Sequence, residues 1–310
     1  RRSSDLGVQP GDSCLLAVMT DNSDDKNFPP GKRQYTLDFA YHGGIYRDVW
    51  MIGKSSVAIT DALEADKVAG GGVFVHFDNI SGKKAEVYVD TEVHNSGKRT
   101  RTVAVETVLV DAGDVPVKRV SQQVKLQAGE SKTVRQRFAV RNPKLWSPDS
   151  PYLYRIQSRV KAGHEVLDGG VTRVGIRKAE FKGKDGFWLN GKPFGQLVGA
   201  NRHQDFAYVG NALPNSQQWR DAKRLRDAGC TIIRVAHYPQ DPAFMDACDE
   251  MGLFVIVATP GWQYWNKNPE FAKLVHRNTR EMIRRDRNHP SVLMWEPILN
   301  ETPYPRSEEH

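Results

Sequence analysis

Residues 231–257 read TIIRVAHYPQDPAFMDACDEMGLFVIV, in which a helix-like segment separates two apolar, strand-like runs. Asp241 followed by Pro242 marks the start of the helix, because an aspartate side chain caps a first turn and proline is tolerated there. Gly252 is a typical stop signal. The runs at 231–235 and 253–257 are therefore predicted to be neighbouring parallel strands joined by a crossover helix.

The same alternation continues on both sides of this stretch. Further strands are predicted at 196–200 and 291–295, and further helices at 271–285 and at 216–228, the latter capped by Ser216. The resulting β-α-β-α-β-α-β order predicts a parallel sheet. A (β/α)8 TIM barrel fits this order but needs about 250 residues, whereas only 115 follow Gly195. We therefore expect the first half of a TIM barrel.

The preceding region has the periodicity of strands. Several short runs separated by turn signals over about 100 residues, without paired cysteines, predict an immunoglobulin-like β-sandwich. Before it, strand-like segments at 34–39 and 45–60 are too short for an independent core and are interpreted as the tail of a β domain. The strands predicted for the sandwich are 86–94, 102–110, 117–126, 133–140, 152–160 and 166–176.

Composition limits the class of protein. With 39% hydrophobic and 26% charged residues, the chain can form cores and is not disordered. It has no run of about 18 apolar residues, so we expect no membrane span. The net charge is +7, but the basic residues are scattered and accompany no recognition motif. We therefore expect no nucleic-acid partner.

The cysteines and the first residues carry little information about location. Cys14, Cys230 and Cys248 are an odd number without a C-x-x-C pair, which favours buried thiols over disulfides or a zinc site. The chain starts at Arg1, with neither a methionine nor a leader-like segment, and this start looks cut. Periplasmic, secreted and cytoplasmic locations all stay open.

Polar residues follow the predicted barrel strands at their C-terminal ends, where TIM-barrel active sites lie. They occur at 201–205, 237–239 and 261–265, and finally as Asn300-Glu301. A carboxylate beside an amide at such a place could act as a general acid or base, and an unconnected surface glutamate is the alternative. His203, His237 and His289 lie in separate motifs without paired ligand spacing. We therefore expect no metal site and no required cofactor.

Four motifs in order closely resemble glycoside hydrolase family 2, the family of β-galactosidases, β-glucuronidases and β-mannosidases. They read GANRHQD at 199–205, IRVAHYP at 233–239, RDRNHPSV at 285–292, and Trp295 followed by Asn300-Glu301. Nearer the N-terminus, the chain is similar to the end of the family's jelly-roll domain (YHGGIYRDV, 41–49) and to its sandwich (LWSPDSPYLY, 145–154; GIR, 175–177).

The resemblance implies three domains. Residues 1–66 would be the C-terminal part of a jelly-roll domain that resembles a sugar-binding domain, residues 67–177 the immunoglobulin-like sandwich, and residues 178–310 the N-terminal half of the TIM-barrel catalytic domain. Both ends of the family's architecture would then lie outside the chain. The partner implied is a β-linked oligosaccharide or glycoside substrate, and a homo-oligomer is compatible with the sequence. The resemblance also allows a divalent cation, although no local motif indicates one.

The resemblance also implies retaining hydrolysis, with β-galactosides as the expected substrates. Glu301 would be the acid/base, protonating the departing glycosidic oxygen and then activating water. Asn300 would hold the sugar's 2-hydroxyl, Asp205 would accept a hydroxyl, and His237 would lie near the reacting ring. Trp262 would offer an apolar platform to a sugar face. For each binding residue the alternative is structural, as a cap, a local hydrogen-bonding group or a packing side chain.

The chain departs from the family in two respects. A retaining mechanism needs a second carboxylate about 5 Å from the first, but no residue up to His310 matches that nucleophile, which we expect beyond it. Ala258 stands where many relatives have glutamate, which weakens inference of the sugar. The alternatives are a β-glucuronidase or β-mannosidase, a non-catalytic carbohydrate-binding or scaffold protein, and an interaction module that uses the sandwich alone.

Overall fold

A computed structural model describes residues 11–13, 15–37, 40, 42–260 and 264–297. The first domain along the chain consists of two packed antiparallel sheets, which form the predicted β-sandwich. In one sheet, β3 pairs with β1 and β2 along one edge and with β6 along the other, and the second sheet has the order β5-β4-β7-β8, all antiparallel. The strands are β1 Val57–Ile59, β2 Val73–Asp78, β3 Lys84–Asn95, β4 Arg101–Val110, β5 Pro116–Leu126, β6 Ser131–Arg141, β7 Tyr154–Ala162 and β8 Glu165–Val174.

Alternating side chains form the core between these two sheets. In β6, for example, every second residue from Val134 to Val140 is buried while the residues between them are exposed. This period of two places one face of the strand in the core. Val87, Leu109 and Ile156 from three strands meet there. The predicted sandwich is thereby confirmed.

The strands expected before the sandwich are mostly wrong. Gln34–Thr36 is a short 3-10 turn, and the described residues between 42 and 56 contain no strand. Apolar residues such as Trp50 and Met51 are exposed there. A strand needs a neighbour to satisfy its backbone, and only residues 57–59 find one, at the end of β3. Although β1 precedes residue 67, it belongs to a sandwich sheet.

The parallel sheet follows after a small antiparallel sheet that the sequence analysis did not predict. That small sheet consists of β9 Ala179–Phe181, β10 Phe187–Leu189 and β11 Lys192–Pro193. The parallel sheet has the order β12-β13-β14-β15, as expected for the start of a TIM barrel. Its strands are β12 Gly199–Arg202, β13 Ile232–Val235, β14 Phe254–Ala258 and β15 Val292–Glu296, and its helices are α1 Asn215–Asp227, α2 Pro242–Met251 and α3 Pro269–Asp286.

Local signals place α2 correctly but not the start of α1. The Asp241 side chain accepts a hydrogen bond from the Ala243 N–H, and Gly252 ends α2 with a left-handed backbone (φ +71°). Ser216 is not the cap of α1, because the helix already starts at Asn215 after Pro214. The fixed φ of Pro214 and its extended ψ turn the chain into the helix without a capping side chain.

The parallel strands separate two apolar clusters. Ile233 and Val235 of β13 face the helices, where they meet Phe244 of α2. Trp146 from the sandwich packs with Phe187 and Phe254 near the N-terminal ends of the strands.

The described cysteines agree with the expectation of buried thiols only in part. Cys248 is fully buried in the helix-side cluster, where burial raises the pKa of its thiol. Cys230 is half-buried, and Cys14 lies outside the described residues. No helix in the described part of the chain is long and apolar enough to cross a bilayer.

Asp249 of α2 is the centre of the contact between sandwich and barrel. Its side chain is fully buried; Oδ2 lies 2.6 Å from His289 Nδ1, and Oδ1 accepts a 3.0 Å hydrogen bond from the Ser291 N–H. Trp146 Nε1 donates to the Asp249 carbonyl across the domain contact at 2.8 Å. Arg177, next to the sandwich, donates to the carbonyls of residues 290 and 292. The start of β15 is thus held from both sides.

We expect the stability of this contact to depend on pH through His289. Burial alone disfavours the charged imidazolium, but the charge and hydrogen bond of Asp249 outweigh it and raise the pKa of His289 to about 9 from 6.5. The stabilisation, about 3 kcal/mol, is therefore complete below pH 6.5 and is lost as the pH rises through about 9. Urea unfolding of the whole protein at pH 6, 7.5 and 9 measures it.

His289→Gln should flatten that decline, because the titrating group is removed. His164→Gln is the matched control, since His164 is exposed in the turn between β7 and β8, and it should keep the wild-type dependence. An unchanged pH dependence in His289→Gln would contradict the assignment.

Candidate active site

The loops that follow β12 and β13 leave the sheet side by side. Arg202, the last residue of β12, pairs in register with Val235, the last residue of β13. Parallel strands end at the same edge of a sheet, so the loop with Asp205 and the loop with His237 emerge at the C-terminal side of the strands. The structure therefore brings the regions of these two predicted substrate-binding residues together.

Arg202, at the end of β12, holds this edge of the sheet in place through its buried side chain. It is only 5% exposed, and its guanidinium donates hydrogen bonds to Gln240 Oε1, to Gln218 Oε1 (2.8 Å) and to Asp221 Oδ2 (2.7 Å). Its Cζ lies 4.0 Å from the centroid of the Phe244 ring. Charge-assisted bonds in a buried setting are strong and directional. Arg202 thus fixes β12 relative to α1 and to the loop after β13.

Gln204 links the two loops directly. The Asp241 N–H donates to Gln204 Oε1 (3.0 Å), and the Gln204 N–H donates to the Tyr238 hydroxyl (3.3 Å). Burial raises the pKa of Tyr238, so the hydroxyl stays neutral. The residue before Asp205 is therefore held by the residue after His237. The His203 and His237 rings lie nearly perpendicular, with centroids 5.4 Å apart.

The N-terminal segment lies against these loops. Arg47 donates to the Pro239 carbonyl at 2.8 Å, and its Nε lies 4.0 Å from Asp241 Oδ2. Between this segment and the loop after β12 is a cleft of about 630 Å³. Asp205 lines it together with His42 and Tyr46. The segment before the sandwich thus contributes a wall to the cleft at the barrel mouth.

An ion pair crosses the inner face of the sheet, and sequence reasoning did not single it out. Arg234 of β13 donates through Nε to Glu296 Oε2 at 2.8 Å and through Nη2 to Glu296 Oε1. Arg234 also lines a second cavity of about 380 Å³ with Asn201 and Ile256. The sequence does contain a signal for this pair. Arg234 lies between two apolar residues that face the helices, and because side chains alternate along a strand, Arg234 must point to the inner face of the sheet.

The remaining predicted site residues lie elsewhere or cannot be placed. Glu301, Asn300 and Trp262 fall outside the described residues, so their roles stay predictions. Trp265, three residues after Trp262, packs edge-on against Phe271 of α3 with ring centroids 5.7 Å apart.

The three histidines considered for a metal do not meet at one place. His203 and His237 are neighbours at the mouth, whereas His289 lies beside Asp249 at the sandwich contact. Asp246, Asp249 and His289 do place possible ligand atoms within 4.8 Å of one another. However, the Arg173 guanidinium pairs with Asp246, and both carboxylate oxygens of Asp249 accept hydrogen bonds. Protein side chains, with Arg173 as the cation, therefore already pair with these carboxylates.

Comparison with known proteins gives one consistent result. Residues 72–177 match the sequence model described as glycosyl hydrolases family 2, and residues 180–309 match that of the glycosyl hydrolases family 2 TIM barrel domain. The chain is 35% identical over 289 residues to a β-galactosidase of Thermoanaerobacter pseudethanolicus, covering 93% of this chain and 36% of that relative.

Solved structures are similar over nearly the whole chain. A crystal structure of a putative β-galactosidase from Bacteroides fragilis superposes with a TM-score of 0.82 at 30% identity, covering 90% of this chain and 40% of that one. A Bacteroides uniformis β-glucuronidase 2, covalently bound to cyclophellitol-6-carboxylate aziridine, also gives 0.82 at 30% identity, covering 91% and 33%. The chain spans about two fifths or less of these relatives. Both matched domains, in this order, show that the chain belongs to glycoside hydrolase family 2.

Proposed function

We propose that the whole protein is a retaining β-glycosidase that hydrolyses terminal β-linked sugars, with β-galactosides as substrates. The observation that carries this proposal is the pairing of the Asp205 and His237 loops at the C-terminal edge of the parallel strands. That edge is where TIM-barrel enzymes bind substrate. β15 ends at Glu296, at the same edge of the sheet, and we propose that Asn300 and Glu301, which follow it in the sequence, act there.

The proposed mechanism divides the chemistry between two carboxyl groups. Glu301, protonated at the start, gives its proton to the glycosidic oxygen as the bond to the anomeric carbon breaks. A nucleophilic carboxylate from a later barrel strand forms the bond to that carbon. Glu301 then removes a proton from the water that hydrolyses the glycosyl-enzyme. The covalent complex of the Bacteroides uniformis β-glucuronidase supports a nucleophilic mechanism by similarity.

The binding roles are part of the proposal, and the position of Asp205 supports them. Asp205 lines the cleft at the barrel mouth and would accept a sugar hydroxyl, while His237 would lie near the reacting ring. Asn300 would hold the 2-hydroxyl, and Trp262 would provide an apolar face.

The domain roles belong to the same proposal. We propose that residues 1–66, apart from β1, which pairs within a sandwich sheet, are the end of a jelly-roll domain, with the sandwich over 67–177 and the barrel half over 178–310. In that arrangement the jelly-roll domain supplies the wall of the cleft that carries His42 and Tyr46.

The charges at the site favour a neutral sugar. A glucuronide carries a carboxylate that requires a cationic partner. Among the described residues on the inner face of the sheet, the cation Arg234 is already paired with Glu296. The similarity to the Bacteroides uniformis enzyme nevertheless makes β-glucuronidase the second candidate. The two activities differ in one measurable property, the charge of the sugar accepted.

The test uses the whole protein with 4-nitrophenyl β-galactoside, β-glucuronide and β-mannoside. We expect nitrophenol release from the galactoside at least about ten-fold faster than from the others, and ¹H NMR of the first product should show the β-anomer, as retention requires. Faster release from the glucuronide would transfer the assignment to β-glucuronidase. Saturable sugar binding without any release would instead support a non-catalytic carbohydrate-binding protein.

A further inference from the structure

A short hairpin follows Asp205 and presents apolar side chains to the solvent. The Phe206 N–H donates to the Gly210 carbonyl (3.0 Å) and the Gly210 N–H donates to the Phe206 carbonyl (2.9 Å), so residues 206–210 form a closed loop, here named the aromatic hairpin. Phe206 is 50% and Tyr208 106% exposed. Large aromatic side chains left open on a fixed loop are typical of binding surfaces.

The backbone of Tyr208 is unusual. Its φ of +71° lies in the left-handed region, which a bulky residue rarely adopts. Such a conformation persists only where the surrounding structure enforces it, and it concentrates at ligand sites. Here the two hydrogen bonds between Phe206 and Gly210 enforce it. The hairpin therefore holds an exposed aromatic ring at its tip rather than folding the ring against the protein.

The hairpin is supported from the N-terminal side. A Cβ at Gly210 would lie 2.8 Å from Cε1 of His42, and the backbone of Gly210 is left-handed (φ +56°), so glycine suits both the turn and the close approach of the imidazole. His42 and the hairpin line the open cleft of about 630 Å³ on which Asp205 lies. This volume is within the range of small-ligand sites. The cleft is thus continuous with the proposed substrate-binding residue.

The chemistry of the lining indicates a neutral, hydroxylated ligand. Among the described lining residues, Asp205 is the only acid and there is no lysine or arginine. Asn211 is 4% exposed and lines the same cleft, and its Oδ1 has no hydrogen-bond partner among the described residues. An unsatisfied buried acceptor is uncommon. A ligand hydroxyl would supply the donor, and the aromatic rings would cover apolar C–H faces.

We propose that the aromatic hairpin is a second sugar subsite, which takes the neutral sugar on the leaving-group side of a β-linked disaccharide. Tyr208 would stack on that sugar while the terminal sugar occupies the site of Asp205 and His237. This inference rests on the proposed function, because it assigns the cleft to the same substrate. It predicts that the hairpin discriminates between leaving groups.

The test compares lactose with methyl β-galactoside in the whole protein, with kcat/KM obtained from galactose release. Both substrates share the terminal sugar, and only lactose has a second one. Tyr208→Ala should lower the lactose-to-methyl-galactoside ratio of kcat/KM about ten-fold. Tyr208→Phe should keep the ratio because it keeps the ring. Phe181→Leu, which removes an exposed aromatic ring on β9, is the matched control and should also keep it.

An equal effect of Tyr208→Ala on both substrates, or no effect, would overturn the subsite. Absence of turnover by the wild type would count against the proposed function instead. In that case, saturation-transfer NMR of lactose with wild type and Tyr208→Ala still decides the inference. Selective loss of transfer to the glucose protons in the variant supports it, and unchanged transfer or no binding by the wild type refutes it.

Discussion

Glu301→Gln in the whole protein is expected to lower kcat for methyl β-galactoside by about 10³-fold. Glutamine has nearly the same shape as glutamate but can neither protonate the departing methoxide nor deprotonate the attacking water. Both steps of a retaining reaction therefore lose their proton transfer. The measurement is kcat between pH 5 and 9. In the wild type kcat should fall at high pH as the general acid Glu301 deprotonates, and in the variant this fall should be absent.

Two comparisons make this result specific. With 4-nitrophenyl β-galactoside the leaving group needs little protonation, so azide, a nucleophile that needs no general base, should partly restore turnover of the variant. Glu250→Gln is the matched control, because Glu250 is a half-exposed residue at the end of α2, paired with Arg173. Its pH profile should equal that of the wild type. Less than a ten-fold loss in Glu301→Gln, with an unchanged pH profile, would remove Glu301 from the acid/base role.

Asp249→Ala is expected to destabilise the barrel by about 3 kcal/mol. The carboxylate is fully buried and accepts from both His289 Nδ1 and the Ser291 N–H. Its removal leaves a mostly buried imidazole without its counter-charge and a buried backbone donor without an acceptor. Calorimetric melting of the whole protein, together with amide exchange over residues 242–258 and 288–296, measures the loss.

Asp246→Ala on the same helix is the control for that experiment. Asp246 also carries a carboxylate and pairs with Arg173, but 43% of its side chain is exposed. Half-exposed ion pairs contribute little because water and salt screen them, so we expect less than about 1 kcal/mol. Equal destabilisation by the two variants would show that burial of Asp249 is not the source of its effect.

Much of the fold could be predicted from local patterns. The parallel strands β13 and β14 appear as apolar runs, and Asp241 and Gly252 start and stop α2 as expected, because capping and left-handed termination involve only neighbouring residues. The sandwich strands were recognised for a similar reason. Their alternation reflects one buried face, and it persists along each strand.

Local patterns failed where a partner was required. The strand-like segment at 45–56 forms no strand in the described structure, because nothing among the described residues pairs with it. Ser216 has the chemistry of a cap, yet Pro214 had already turned the chain into α1. Strand propensity mainly reflects how well side chains pack against a neighbouring strand or surface. The sequence of the segment alone does not show whether such a neighbour is present.

The sequence by itself determined the sandwich, the alternation of strands and helices in the parallel sheet, the family, and the candidates Asp205, His237 and Glu301. Only the tertiary structure decided which side chains meet: Arg202 with Gln240, Arg234 with Glu296, and Asp249 with His289. The physical reason is distance along the chain. Helix and strand signals act between residues a few positions apart, whereas these contacts join residues 38 to 62 positions apart, and packing of whole elements is needed to bring them together.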